Sequence, residues 1–121
     1  MAEDILEGKT ILVVDDEHDV LETVEDLLPM CRVVTATTFE GARDQLETRD
    51  LDLALLDIMG VDGYNLLEST VAKGIPAVML TAHALSLENI KKSRKMGADS
   101  FIPKEEMTHL PTFLRDIFEA R

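Results

Sequence analysis

The chain predicts an α/β fold with a doubly wound, five-stranded parallel sheet and five helices, and three observations point there. Short apolar runs of strand length alternate with amphipathic segments of helical period five times over, the pattern of parallel strands joined by helical crossovers. The runs are nearly continuous in apolar residues, as in strands covered on both faces. Repeats, low-complexity tracts and linker-like stretches are absent from the sequence, so the 121 residues are expected to form one domain over 1–121 with a sizeable core.

"TILVVDD" (residues 10–16) reads as the first strand. Val20, Leu21, Val24, Leu27 and Leu28 then fall on one helical stripe that stops at Pro29. "RVVTAT" (32–37) is a second strand, followed by Thr37 and Glu40 at capping-box spacing ahead of a helix carrying Ala42 and Leu46. "LDLALLD" (51–57) is the third strand. Asp62 is placed to cap a third helix bearing Leu66, Leu67 and Val71, which Lys73 and Gly74 close. "IPAVMLTA" (75–82) is the fourth strand, and Pro76 fits only at its start, where a missing N–H costs no ladder bond. Ser86 or a neighbour opens the fourth helix and Gly97 ends it. "DSFI" (99–102) is a short fifth strand, and the last helix carries Leu110, Leu114, Ile117 and Phe118 with Pro111 in its first turn.

Composition narrows the function classes. Hydrophobic residues at 45% and charged residues at 30% describe a globular chain, not a disordered one. No apolar run approaches the roughly 18 residues of a membrane span. The acidic start "MAEDILEGKT" has neither the basic nor the apolar segment of a signal peptide, so a cytoplasmic location is expected. Cys31, the only cysteine, cannot form an internal disulfide and is expected to serve in packing. A net charge of −12 repels nucleic-acid phosphates and anionic lipid, so neither direct nucleic acid binding nor membrane association is expected. Residues 1–70 hold 18 acidic and 4 basic residues, against 6 and 8 in residues 71–121, so the acid is concentrated in one half.

Right-handed crossovers place helices on both faces of such a sheet, and ligands then bind outside the carboxyl ends of the strands. Strand one ends in Asp15 and Asp16, strand three in Asp57, strand four in Thr81, and Lys104 follows strand five. Carboxylates drawn together repel, which calls for a cation or raised pKa values. An oxygen-only set without His or Cys suits a hard ion, Mg²⁺ or Mn²⁺, better than zinc. Lysine across the rim would pair with phosphate oxygens and threonine would donate a hydrogen bond. A carboxylate beside the metal could be the nucleophile that accepts a phosphoryl group, which makes Asp57 the candidate phosphoacceptor.

With "ILVVDDE", "LALLDIM", "DGYNLL", "PAVMLTA" and "GADSFIPK" in this order, the chain resembles the response-regulator receiver domains of two-component signalling over nearly its whole length. The resemblance implies a flavodoxin-like fold with strand order 2-1-3-4-5. It also implies that a sensor histidine kinase or phosphotransfer protein phosphorylates Asp57, that Asp15, Asp16, Asp57 and the Met59 carbonyl hold Mg²⁺, and that Lys104 contacts the phosphoryl group. Thr81 would move toward the phosphate and Phe101 would rotate inward, altering the surface of the fourth helix, fifth strand and fifth helix. A downstream effector protein or output domain would read that surface, and homodimers paired through the fourth and fifth helices are a further expectation of the resemblance. Such a domain promotes its own phosphorylation and dephosphorylation and is not a turnover enzyme on an external substrate.

The sequence departs from the family pattern twice. Asp57 and the Asp62 of "DG" are two residues closer than usual, with Gly60 in the loop. Glu105 stands where a proline ordinarily follows the lysine; a cis Lys104–Glu105 bond costs about 2.5 to 4 kcal/mol, so a trans bond with Lys104 displaced is expected. The shortened loop supports an alternative, a phosphorylation-independent pseudo-receiver acting as a binding or scaffold domain. A turnover enzyme of another α/β family has little in its favour, since GxGxxG, P-loop and GxSxG motifs are absent from the sequence. His83 would lie near the phosphate entrance but reads more simply as an exposed loop residue, and Lys91, Lys92, Arg94 and Lys95 read as a solvated basic face or a partner patch.

Overall fold

The computed structural model describes residues 4–58, 62–81 and 87–121. The elements run β1 (Thr10–Val14), α1 (His18–Leu27), β2 (Arg32–Ala36), α2 (Phe39–Thr48), β3 (Leu53–Asp57), α3 (Gly63–Ala72), β4 (Ala77–Thr81), α4 (Leu87–Lys95), β5 (Ser100–Pro103), a 3-10 segment (Lys104–His109) and α5 (Leu110–Glu119). All strand pairs are parallel, in the order β2-β1-β3-β4-β5. The predicted doubly wound, flavodoxin-like sheet is therefore what the chain forms.

Alternate strand residues feed two separate cores, which explains why the strand runs are apolar without interruption. Ile11, Val13, Leu53, Leu55, Val78 and Leu80 point to one face, where α1 contributes Val20, Leu21 and Val24 and α5 contributes Leu110 and Leu114. Leu12, Val14, Ala54, Leu56, Ala77 and Met79 point to the other, against Ala42 and Leu46 of α2 and Leu66 and Leu67 of α3. Each fully buried leucine contributes about 1.5 to 3 kcal/mol by leaving water, so slipping any strand by one residue would exchange the two cores and is resisted throughout.

Several boundaries differ from the sequence expectation for local reasons. Thr38, not Thr37, caps α2, with its Oγ1 accepting from the Gly41 N–H at 3.0 Å. Asp62 occupies the N-cap position of α3 but in a left-handed conformation (φ 54°, ψ 52°) and without a capping hydrogen bond from its side chain. Its Oδ2 instead accepts from Asn65 Nδ2 at 2.7 Å. The fifth strand begins and ends one residue later than predicted, and the 3-10 segment after it was not foreseen; Met107, buried, fixes that segment to the α1/α5 core. Ser86 lies outside the described residues.

The segment before β1 closes the bottom of the α1/α5 core. Leu6 is fully buried there, and the Cys31 thiol donates to its carbonyl at 3.4 Å. Burial, with smaller contributions from nearby carboxylates, pushes the Cys31 thiol up from its ordinary value. Asp4 anchors the segment to α5 through a two-pronged ion pair, Arg115 Nε to Oδ1 at 3.0 Å and a second guanidinium nitrogen to Oδ2 at 2.7 Å. The hydrogen bond from Arg115, helped by the Leu6 N–H, lowers the Asp4 carboxyl from 3.8 to about 2. A depressed carboxyl stabilises the fold fully above its unfolded value and progressively less as pH falls through the folded one. Chemical denaturation of wild type and Asp4→Asn is therefore expected to show a stability gap near neutral pH that closes as pH falls from 3.8 toward about 2. A gap unchanged across that range would show that the pair does not couple to folding.

Candidate functional site

The parallel register brings the carboxyl ends of β1, β3, β4 and β5 to one rim. β1 ends at Val14, so Asp15 and Asp16 lead the following loop. The Asp15 N–H donates to the Ala36 carbonyl at 3.1 Å, and its Oδ1 accepts from the Glu17 N–H at 2.9 Å. These bonds hold a fully buried carboxylate at the sheet edge of the loop. Asp57 is the last residue of β3 and is 5% exposed; it is paired with Leu80, and the next N–H, of Ile58, donates to the Leu80 carbonyl at 3.1 Å. Thr81 ends β4 opposite Pro103 of β5, so Lys104 emerges at the same level.

Lys104 ties the rim together. Its Nζ lies 2.8 Å from Asp15 Oδ2, 3.7 Å from Asp57 Oδ1 and 3.7 Å from Glu17 Oε1. The Lys104 ammonium, 2.8 Å from Asp15 Oδ2, is what offsets the burial of that oxygen. Desolvation disfavours the Lys104 ammonium, but the hydrogen bond to Asp15 and the charges of Asp15, Asp57 and Glu17 outweigh it and raise the lysine above its ordinary value. No peptide bond among the described residues is cis, and Lys104 is nonetheless in place. The trans bond expected after Lys104 is what the chain has, and the lysine still reaches both Asp15 and Asp57, because the pairing of Pro103 with Thr81 sets where it starts.

The acidic group that could hold a cation comprises Asp15, Asp16 and Glu17, each offering one oxygen, all within 4.8 Å of one another. Glu17 was missed from the sequence, although it is the third acid of "DDE". An oxygen-only set around a buried carboxylate fits a hard divalent ion such as Mg²⁺. Asp57 meets this group through Lys104. Met59 and His83 lie outside the described residues. Phe101 is partly buried against the α2/α3 core, with the Arg94 guanidinium carbon 5.9 Å from its ring centre. Lys91, Lys92, Arg94 and Lys95 are exposed along α4.

The shortened loop after Asp57 has a steric counterpart at Gly63. A Cβ there would lie 2.1 Å from the Asp57 carbonyl oxygen and 2.9 Å from the Ile58 Cα, so the first residue of α3 rests directly on the backbone of the candidate phosphoacceptor. Only glycine permits this approach.

A model of the response regulator receiver domain family matches residues 11–114. The chain belongs to that family. It is 31% identical to the response regulator GtcR of Aneurinibacillus migulanus over 93% of this chain and 50% of that protein. It is 33% identical to the phosphate regulon transcriptional regulatory protein PhoB of Pseudomonas aeruginosa, over 89% and 52%. The chain spans about half the length of these curated relatives. Among solved structures, a CheY-like response regulator receiver domain protein from Methanospirillum hungatei superposes with a TM-score of 0.80 at 31% identity, covering 93% of this chain and 96% of that one.

Two substitutions test the rim of this receiver domain. Gly63→Ala forces backbone apart at the Asp57 carbonyl and is expected to cost about 1 to 3 kcal/mol or more in denaturant unfolding; an unchanged midpoint would refute the close contact. Lys104→Met leaves the buried Asp15 charge uncompensated and is expected to cost about 1 to 3 kcal/mol in chelator at neutral pH. Because Lys104 is raised above 10.5, its contribution is fully present below that value and is lost as pH rises through the folded one. The gap between wild type and Lys104→Met should therefore narrow in strong alkali, and a gap that widens would contradict the assignment.

Proposed function

We propose that residues 1–121 form a single receiver domain whose Asp57 accepts a phosphoryl group from the phosphohistidine of a sensor histidine kinase or phosphotransfer protein. The observation that carries this reading is the Lys104 ammonium set between Asp15 and Asp57 at the mouth of the sheet. An Asp57 oxygen attacks the phosphorus in line with the departing imidazole; the new P–O bond forms as the P–N bond breaks, giving an acyl phosphate. Lys104 then exchanges part of its contact with Asp15 for the transferred oxygens. Asp15, Asp16, Asp57 and the Met59 carbonyl would hold Mg²⁺, with Glu17 beside them. When bound, the ion supplies positive charge against the phosphoryl oxygens.

The Thr81 hydroxyl donates to the phosphoryl group, and Phe101 turns inward as it does so. The resulting change in the α4–β5–α5 surface is read by an effector protein or output domain, with homodimer formation through the same surface. The domain acts by being modified and does not turn over an external substrate. Its own net charge of −12 argues that it makes no direct contact with nucleic acid, even where a relative is a transcriptional regulator by name. Among the described residues no helix is long and apolar enough to cross a membrane, in keeping with a cytoplasmic partner system.

Intact-mass spectrometry after incubation with acetyl phosphate tests the reading. A single Mg²⁺-dependent phosphoryl adduct is expected for wild type and none for Asp57→Asn. Lys104→Ala should retain some labelling while losing the accompanying change in the α4–β5–α5 surface. No adduct on wild type, together with no Mg²⁺ binding by titration, would point instead to a phosphorylation-independent scaffold.

A further inference from the structure

Helix α4 is seated differently from its neighbours. Among residues 88–95 only Ser93 is fully buried, and among the described residues its hydroxyl has no hydrogen-bond partner. Neither core includes any of these residues. Among the described residues, polar contacts join this helix to α3. The Tyr64 hydroxyl donates to Asn89 Oδ1 at 2.9 Å, and the Lys92 ammonium lies 4.0 Å from the centre of the same Tyr64 ring. A hydrogen bond and a cation–π contact of this kind each shift an equilibrium by about two- to ten-fold, so losing them is enough to change how this part of α4 is held against α3.

The other end of α4 meets α3 by shape. Gly97, just beyond the helix, has φ +101°, and a Cβ there would lie 2.9 Å from Val71 Cγ1. α3 therefore touches the α4 region at a tight steric point beside Gly97 and at a polar point at Tyr64. Tyr64 is also the residue after Gly63, which rests on the Asp57 carbonyl.

We propose that Tyr64 is a latch that sets the position of the amino-terminal half of α4 and carries to it any movement of the β3 end at Asp57, with the turn at Gly97 as the pivot. The transmission rests on Asp57 being the phosphoacceptor; the latch itself does not. A shift of the Asp57 backbone displaces Gly63, because no space separates them. Tyr64 moves with Gly63, and its hydroxyl and ring leave Asn89 and Lys92. This route runs along the α3 side of the rim and is distinct from one through Thr81 and Phe101.

Amide hydrogen exchange over residues 88–95 of the full chain, read by mass spectrometry, decides it. In unmodified protein, Tyr64→Phe keeps the ring and removes the hydroxyl, and should raise exchange in α4 by about three- to ten-fold while leaving α1 and α5 unchanged. Lys92→Gln should raise it by a smaller factor. Acetyl phosphate with Mg²⁺, with labelling followed by intact mass, should then alter α4 exchange in wild type and change it far less in Tyr64→Phe. Identical α4 exchange in unmodified wild type, Tyr64→Phe and Tyr64→Ala would overturn the latch. Equal responses of labelled wild type and labelled Tyr64→Phe would overturn the transmission. If wild type takes no label, the phosphoacceptor reading fails and the transmission with it, while the unmodified comparison still decides the latch.

Discussion

A single ammonium group keeps the carboxylate rim of this domain together. Asp15, just past the end of β1, is fully buried, and Asp57, the last residue of the adjacent β3, nearly so. Removing one carboxylate from water costs several kcal/mol even after the protein relaxes, and two neighbouring ones add mutual repulsion. Lys104 at 2.8 Å from one and 3.7 Å from the other supplies the opposing charge. A lysine suits this place because its flexible stem carries a compact charge that can be redistributed between partners, where the rigid fork of arginine would fix one geometry.

The position of that ammonium follows from strand register, which follows from the two cores. β3, central and buried at all five positions, pairs with β1 on one side and β4 on the other. β4 pairs with β5 so that Thr81 and Pro103 are level. Any register slip would drive each strand's side chains into the wrong core and at the same time withdraw Lys104 from Asp15. The apolar packing that stabilises the sheet and the electrostatics of the rim are thus set by one constraint.

This dependence accounts for what could be read in the sequence. The strands and the rim residues were legible because buried strands announce themselves as apolar runs and the ends of parallel strands must share an edge. Thr37 and Thr38 could not be told apart: both are hydroxyl residues after a strand, and the choice falls to the pairing of Val14 with Ala36, which ends β2 one residue before Thr37. Asp62 reads as an ordinary cap, but Gly63 pressed on the Asp57 carbonyl puts it in a left-handed conformation. The missing proline after Lys104 is a local feature, whereas the lysine's starting point is set by the β4–β5 register. Glu17 could have been found as the third consecutive acid; the meeting of Tyr64 with Asn89 and Lys92, 25 and 28 positions away in the sequence, had no local signal.

Room to change state in this fold lies away from its two cores. Its cores interlock β1 to β5 with α1, α2, α3 and α5, and a close-packed interior resists small displacements. Residues 88–95 of α4 lie outside that interlock and, among the described residues, meet α3 through polar contacts, with the Ser93 hydroxyl of the same helix buried and unpaired among them. A perturbation at Asp57 cannot be absorbed by β3, which is packed on both faces, nor at Gly63, which has no clearance. The proposed route takes it through Gly63 and Tyr64 to α4, whose described residues lie outside both cores.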